Sequence, residues 1–220
     1  MCWNAEVSIF TFLTSVLMSG HLWRRHDNIN DRPLAIFIAW VALMQLFEYF
    51  MWRNMAEHSL ASKLAYITTI LQPFVLAASL YYFYYVAGRL TDGDQRWYYI
   101  IMVASALQAG AAIYYAFVTA NKTAWLSVPG PHSHLIWWYK KYEANIPFPA
   151  RVDQLYFATL ICAVLLIKSQ QALVYLGLML GSFFLTQKFY PLECGSLWCW
   201  VVNLIGMLAI FIPYLKSPLK

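Results

Sequence analysis

Residues 34–52 read LAIFIAWVALMQLFEYFMW, a run of 19 residues with one charged side chain, Glu48. A helix needs about 20 mainly apolar residues to cross the hydrocarbon core of a bilayer. Arg32 and Pro33 precede the run, and Arg53 follows it, so charged or helix-starting residues mark both of its ends. The run therefore predicts a transmembrane helix.

Six further apolar runs follow the same pattern along the chain. Counted along the whole chain, the fifth run is 152–167 and the sixth is 172–189. A tight hairpin at 168–171 would join these two runs, and a re-entrant pair is the alternative. The pattern predicts an all-α fold: one seven-helix transmembrane domain over residues 1–220, with a long loop at about 121–151. The six runs cover residues 5–22, 64–86, 97–120, 152–167, 172–189 and 197–215.

Composition supports this class of protein. Hydrophobic residues make up 61% of the chain and charged residues 11%, and the mean hydropathy is +0.53. A water-soluble domain of this size cannot hide so much apolar surface. The net charge of +5 does not indicate nucleic-acid binding, because the basic residues are scattered over short loops without a basic stripe. The chain is expected to be a multi-pass integral membrane protein with the lipid bilayer as its partner.

Two features favour a topology with the N-terminus outside. Arg24 and Arg25 follow the first run, and basic residues concentrate on the cytoplasmic side of membrane helices. Asn121-Lys122-Thr123 is a glycosylation sequon, and this topology places its loop outside.

Three cysteines fall on the same outer side, where disulfides persist. A bridge from Cys2 to Cys194 or to Cys199 would tie the N-terminus to the last span. Free thiols near the interface are the alternative, because spacing alone does not establish a pair.

Polar side chains within the predicted spans are the candidate functional residues. Glu48 and Gln45 are three residues apart and share one helix face. An ionisable group in the hydrocarbon core requires a hydrogen-bonding or ionic partner, access to water, or a functional role. The alternative for Glu48 is an interfacial position close to water or Arg53. Gln72 and Pro73 predict a kinked helix with an amide at mid-span.

With the N-terminus outside, most of the polar candidates would converge. The acidic and amide residues of the outer half would form a vestibule that narrows toward central amides, and an acidic vestibule attracts cations or protons. Gln108 lies in a small-residue stretch and is expected to pack tightly, with pore lining as the alternative. The outer group is Glu6, Glu48, Asp153, Glu193 and Asn203, and the central group is Gln72 and Gln108.

Residues 130–138 read GPHSHLIWW, with a Gly-Pro turn, two histidines and an aromatic anchor. His132 and His134 are candidates for metal binding or pH sensing. A loop folded onto the membrane interface is the alternative, because two ligands do not make a metal site.

Several familiar activities lack their required residues. A retinal protein needs a lysine midway along its last span, and the predicted last span has none, since Lys188 lies at a helix end. Retinal and other cofactors are therefore not expected. No phosphate-binding loop and no nucleophile paired with a base is recognisable, so the sequence gives no positive indication of an enzyme.

A set of short motifs spread over most of the chain resembles an uncharacterised family of multi-pass membrane proteins from giant DNA viruses, algae and other protists. The resemblance implies a eukaryotic host and a viral or endomembrane location. It supplies no activity and no catalytic residues, and it implies that Glu48, Gln72, Pro73, His134, Glu193 and Asn203 belong to one arrangement. The motifs are Met1-Cys2-Trp3-Asn4, Val7-Ser8 with Thr11, Met44-Gln45-Leu46 with Glu48 and Trp52, Leu71-Gln72-Pro73, Gly130-Pro131 with His134-Leu135 and Trp137, and Glu193 with Gly195-Ser196, Trp198-Cys199-Trp200 and Asn203.

The first function hypothesis is a channel or transporter for a small ion, with a cation or proton favoured by the acidic vestibule. A seven-helix receptor that binds a small molecule is the second, and a structural protein of a viral or organelle membrane is the third. The sequence leaves open whether the chain forms a homo-oligomer.

Overall fold

The computed structural model describes residues 4–25, 28–119, 125–141, 143–152, 154–169, 171–198, 201 and 203. The described residues form α-helices, two short 3-10 helices at Glu143–Asn145 and Phe148–Ala150, and one pairing of two strands of two residues each. Residues 194–198, 201 and 203 are also helical and are called the C-terminal segment below. The helices are α1 Ala5–Arg24, α2 Asp31–Arg53, α3 Ser59–Val86, α4 Asp92–Tyr114 with a π-helical turn Tyr115–Thr119, α5 Trp138–Lys141, α6 Gln154–Leu165 and α7 Gln171–Phe189; the strands are β1 Val128–Pro129 and β2 Leu135–Ile136.

Five of the helices are long and apolar enough to cross a membrane. They are α1, α2, α3, α4 with its π-helical turn, and α7, which correspond to the first four predicted spans and the sixth. The prediction of a multi-pass helical membrane protein is confirmed to this extent. These spans could be predicted because charged or turn-forming residues mark the ends of each apolar run, so that its length and composition alone identify the helix.

The fifth and seventh predicted spans differ from these five. The fifth run forms α6, whose 12 residues extend for about 18 Å, less than the roughly 30 Å of a hydrocarbon core. Most of the seventh run, 197–215, lies outside the described residues.

Helix-capping residues set two of the helix starts. The Asn4 side chain accepts a hydrogen bond from the backbone N–H of Val7 at 2.9 Å. Thr91 and Asp94 form a reciprocal capping box at the start of α4. Such caps satisfy backbone donors that the first helical turn leaves unpaired.

Successive helices run antiparallel, and polar contacts fix their register. Ser19 Oγ of α1 donates to the Ala35 carbonyl of α2 at 2.7 Å. Trp40 Nε1 of α2 donates to the Thr68 carbonyl of α3 at 2.9 Å. Residues 4, 53–59, 119, 125–141, 143–149 and 189–194 consequently lie toward one end of the bundle, here called the cap end. The described residues of the other connections lie at the opposite end.

The cap segment, which consists of residues 125–141 and 143–152, covers the cap end. Trp125, Leu135 and Trp137 are all buried. The Trp125 ring stacks on Trp138 with 3.9 Å between ring centroids, and the Tyr66 hydroxyl of α3 donates to the Ala150 carbonyl. The described part of the predicted long loop is therefore folded and contributes aromatic side chains to the core.

Candidate functional site beneath the cap segment

Glu48 lies on α2 at the cap end, five residues before the helix ends at Arg53. Its side chain is fully buried, with 0% exposure, and Gln45 one turn away is equally buried. Trp137 Nε1 of the cap segment donates to Glu48 Oε1 at 2.8 Å. The cap segment thus lies directly over a carboxyl group on a membrane-span candidate.

Glu193 is a second buried carboxyl group, with 1% of its surface exposed. The backbone N–H of His132 donates to Glu193 Oε1 at 2.9 Å, and His132 Nδ1 lies 3.0 Å from Oε2. Both carboxylate oxygens therefore bind one residue of the turn between β1 and β2. A protonated His132 would make this contact an ion pair.

Gly130 makes this contact sterically possible. A Cβ atom at position 130 would overlap the Glu193 carboxylate. The Gly130 N–H also donates to the His134 carbonyl at 2.6 Å, which closes the turn. Glycine at this position allows the turn and the acid to approach each other closely.

His134 is buried beside Tyr190, whose ring also contacts His132 edge-on. Burial lowers the pKa of His134 below 6.5, because an apolar environment disfavours the charged ring. Among the described residues no three histidine, cysteine or acidic side chains gather into a metal-binding group.

A third connection holds the cap segment to the bundle at Ser127. The Ser127 N–H donates to His58 Nε2 at 2.8 Å. Since an amide N–H cannot accept, Nε2 is unprotonated and His58 Nδ1 carries the proton, which it donates to the Asn54 carbonyl at 3.1 Å. Ser127 Oγ also lies 3.3 Å from Ser62 Oγ and accepts from the Trp138 N–H. Burial lowers the pKa of His58 below 6.5.

The central amides have separate roles. The Tyr156 hydroxyl of α6 donates to Gln72 Oε1 at 2.6 Å, and Pro73 is buried beside it in α3. Gln108 Nε2 donates to the Arg151 carbonyl at 2.9 Å, so Gln108 supports the end of the cap segment.

Asn203 brings the C-terminal segment to α1. Ser15 and Asn203 Oδ1 are joined by a 2.9 Å hydrogen bond in which the Ser15 hydroxyl donates. Asn203 and Gln72 both border a cavity of about 60 Å³ whose other walls are mainly apolar. Gln72, which was predicted to be central, and Asn203, which was predicted to belong to the outer group, therefore border the same small interior space.

Other predicted residues lie elsewhere. Glu6 is exposed on α1 and does not join the buried carboxyl groups. Cys194 Sγ lies 3.3 Å from Thr186 Oγ1. Asp153, Cys2 and Cys199 fall outside the described residues, so the proposed disulfide alternatives stay predictions.

Sequence reasoning missed His58 and Ser127 as parts of the site. Neither residue stands out locally, because His58 precedes a helix and Ser127 lies in a loop. Only their contact, across 69 positions of sequence, reveals the role.

The site can be described by what its parts can do chemically. Two buried carboxyl groups can exchange protons or attract a cation, and hydrogen-bonding side chains of the cap segment cover both. No protein-family model, curated protein or solved structure matches the chain.

Proposed function

We propose that this protein is a channel or transporter for a small cation or proton, and that Glu48 lies on the transport path. The observation that carries the proposal is the complete burial of the Glu48 carboxyl group on a membrane-span candidate, under a folded segment that binds it. The five residues between Glu48 and the end of α2 correspond to about 7.5 Å of helix.

The energetics of the carboxyl group support a transport role. A charged group inside a membrane is costly, and such groups commonly mark ion pathways and proton relays. One donor to the Glu48 carboxyl group is the neutral Trp137 indole, at 2.8 Å.

Buried polar side chains continue from this level toward the bundle centre. Ser8, Thr11 and Ser15 follow one another at helical spacing on α1 and are all buried. The Ser19–Ala35 contact sets an antiparallel register that brings Ser8 and Thr11 to the depth of Glu48 and Gln45. The Ser15–Asn203 pair and the 60 Å³ cavity follow deeper in the bundle. We interpret this series of buried polar groups as the transport path.

Hydrogen-bonded side chains also join the connections at the opposite end. The Tyr84 hydroxyl donates to Asn30 Oδ1 and accepts from the Lys168 N–H. Lys168 Nζ binds Asp94 Oδ2 at 2.6 Å. We interpret these contacts, together with the cap segment, as polar closures at the two ends of the described part of the bundle, between which the transport path would run.

The proposal includes the finer topology and location. Seven spans with the N-terminus outside would place the cap segment on the outer side, where Glu48 and Glu193 would meet incoming cations. The resemblance to membrane proteins of giant viruses and protists suggests a viral or endomembrane setting in a eukaryotic host.

Glu48→Gln tests the proposal in purified protein reconstituted into liposomes. Proton, sodium and potassium fluxes are measured for the wild type and for this variant. The glutamine keeps an oxygen that can accept from Trp137 but carries no charge and binds no proton near neutral pH. We expect flux in the wild type and the background of protein-free liposomes in the variant.

Glu6→Gln is the matched control, because it makes the same substitution at an exposed acid. Its flux should equal that of the wild type. Absence of flux from folded, inserted wild-type protein under every ionic condition would refute the proposal.

A structural role of Glu48 is the second candidate, since the Trp137 hydrogen bond also anchors the cap segment. Trp137→Phe separates the two roles, because it removes the donor and keeps an aromatic ring. If Glu48 only anchors the segment, Trp137→Phe lowers thermal stability, whereas Glu48→Gln leaves both stability and flux unchanged.

A further inference from the structure

Two histidine contacts of different chemistry help to hold the cap segment over Glu48. In the first contact the Ser127 N–H donates to His58 Nε2 at 2.8 Å. In the second contact His132 Nδ1 lies 3.0 Å from Glu193 Oε2. A proton added to the imidazole ring affects these two contacts in opposite ways.

The His58 contact exists only while the ring is neutral. Both ring nitrogens are in use, since Nδ1 donates to the Asn54 carbonyl at 3.1 Å and Nε2 accepts from the Ser127 N–H. An imidazolium ion carries a donor at each nitrogen, so turning the ring over does not restore an acceptor. A proton on Nε2 would place two N–H groups opposite each other, and the contact would have to break.

Charged side chains adjoin His58 on the α2–α3 connection and on α3. Glu57 precedes it and is exposed, and Arg53 ends α2. Lys63 of α3 is buried, with its Nζ 5.7 Å from the ring centroid of Trp125 in the cap segment. Burial lowers the pKa of His58 below 6.5. The contact is therefore complete above about pH 6.5 and weakens as the pH falls below that value.

A short series of contacts connects His58 to Glu48. Ser127 Oγ accepts from the Trp138 N–H at 3.3 Å, and the Trp138 ring is stacked on another tryptophan of the cap segment. The preceding residue, Trp137, donates to Glu48 Oε1 at 2.8 Å. A movement of Ser127 away from His58 would therefore be transmitted to the indole that covers the Glu48 carboxyl group.

The His132 contact responds to acid in the opposite sense. Buried Glu193 already accepts from the His132 N–H, and a protonated His132 ring would form an ion pair with it. The Tyr190 ring contacts both His132 and His134 beside this pair. Acid thus weakens the contact at His58 and strengthens the one at His132, so the turn between β1 and β2 can serve as a hinge.

We infer that the cap segment is an acid-opened gate over Glu48, with His58 as its latch and the His132–Glu193 pair as its hinge. While His58 is neutral, the Trp137 indole covers the carboxyl group. Once His58 is protonated, residues 125–127 and 137–138 move away, and water or a cation reaches the carboxyl group from the cap end. The gating of transport rests on the proposed function, whereas the opening itself does not.

Carboxyl modification measures the opening independently of flux. The full-length protein in nanodiscs is treated with a water-soluble carbodiimide and glycine ethyl ester at pH 7.5 and at pH 5, and mass spectrometry quantifies the modification of each acid. Exposed Glu6 is the internal reference, because the reagent itself reacts faster in acid. In the wild type the ratio of Glu48 to Glu6 modification should rise about fivefold or more in acid, the equivalent of about 1 kcal/mol. The ratio of Glu193 to Glu6 modification should stay unchanged.

His58→Gln tests the latch, because its amide oxygen can accept from the Ser127 N–H and does not titrate. Its ratio of Glu48 to Glu6 modification should equal the wild-type value at pH 7.5 and remain there at pH 5. Any effect of pH on Glu48 itself is retained in this variant, so the difference from the wild type reports His58. His21→Gln makes the same substitution at an exposed histidine of α1 and should respond to acid like the wild type.

The wild type alone can overturn the inference, whether or not His58→Gln folds. A ratio of Glu48 to Glu6 modification that is equal at both pH values would mean that a local shift accommodates the proton and that no gate opens. A rise in acid that persists in His58→Gln, with folding established by circular dichroism, would overturn the role of His58 as the latch. A parallel rise at Glu193 would mean that the whole cap segment detaches, which would overturn the hinge.

Proton flux into liposomes, measured on the same proteins, separates this inference from the proposed function. His58-dependent modification of Glu48 in a protein without flux would support the opening and refute transport. Flux without His58-dependent modification would support transport and overturn the gate. If both hold, flux should increase in acid in the wild type and in His21→Gln, and much less in His58→Gln.

Discussion

The buried acids of the cap end are held by aromatic and imidazole groups, whereas the acids of the opposite end are held by an arginine and a lysine. Glu48 accepts from the Trp137 indole, and Glu193 binds His132. At the opposite end Arg25 binds Asp31 through two hydrogen bonds of 2.6 and 2.7 Å, and Lys168 binds Asp94.

This difference teaches which end can respond to its surroundings. Arginine and lysine stay charged throughout the physiological pH range, so the contacts of the opposite end persist there. The cap end also contains the imidazoles of His58 and His134, whose pKa values are lowered by burial and whose hydrogen-bonding roles change on protonation. We therefore expect the stability of the cap end to depend on pH. At the opposite end we expect stability to depend on salt, and only at ion pairs that are exposed to water.

The largest expected effect is from Trp137→Ala at the cap end. This substitution removes a buried ring and the donor to Glu48, and such losses cost about 3–5 kcal/mol of unfolding free energy. Trp97→Ala is the matched control on α4, because Trp97 is 62% exposed. Denaturant titration in mixed micelles should show a large loss only for Trp137→Ala. Equal losses would mean that the cap segment contributes no more stability than a bilayer-facing ring.

Gly130→Ala should have the next largest effect on stability. The added methyl group must displace the Glu193 carboxylate, which separates it from His132 and costs about 1–3 kcal/mol. Gly110→Ala adds the same methyl group in α4, where nothing lies within 4 Å of it. That change should leave stability unchanged or raise it by up to about 1 kcal/mol through helix propensity. Thermal unfolding of both variants measures the contrast in sign.

The helices were predictable from the sequence because their signal is local. Residues 34–52 define α2 within a few positions, since length, apolarity and flanking charges all belong to one segment. The cap segment carried no such signal. Its buried tryptophans are indistinguishable in sequence from residues that anchor a loop at the membrane interface.

The candidate site was predictable only in part, for the same reason. Glu48 stood out because a carboxyl group in an apolar run is costly wherever the helix packs. Its contact with Trp137 joins residues 89 positions apart, and Asn203 reaches Ser15 across 188. No local pattern specifies which partners such residues find.

A pH dependence of the cap segment follows from His58. Its pKa is lowered in the folded protein, so the unfolded or detached state binds the proton more readily. Stability is then complete above the ordinary pKa of about 6.5 and decreases as the pH falls below it. Protonation of Nε2 would also replace an acceptor with a donor facing the Ser127 N–H. Buried His134, whose pKa is lowered in the same way, adds to the effect with the same sign.

His58→Gln tests this prediction, because the amide oxygen can accept from Ser127 and does not titrate. Limited proteolysis of the cap segment between pH 8 and pH 5 should increase in the wild type as the pH falls, and less in the variant. Equal protection of the cap segment from proteolysis at pH 8 and at pH 5 would contradict the proposed difference in pH sensitivity between the two ends.

The smallest expected effect is from Lys168→Gln at the opposite end. Lys168 and Asp94 are 26% and 32% exposed, so water screens their attraction, and such a pair contributes about 0–1 kcal/mol. The loss should shrink as salt is raised from 0.05 to roughly 1 M, where the screening length falls to about 3 Å. It should show no dependence on pH between 5 and 8, since lysine stays charged there. If the loss of stability in Lys168→Gln depended on pH, the stability of both ends of the bundle would be pH-dependent. The proposed difference between the cap end and the opposite end would then be wrong.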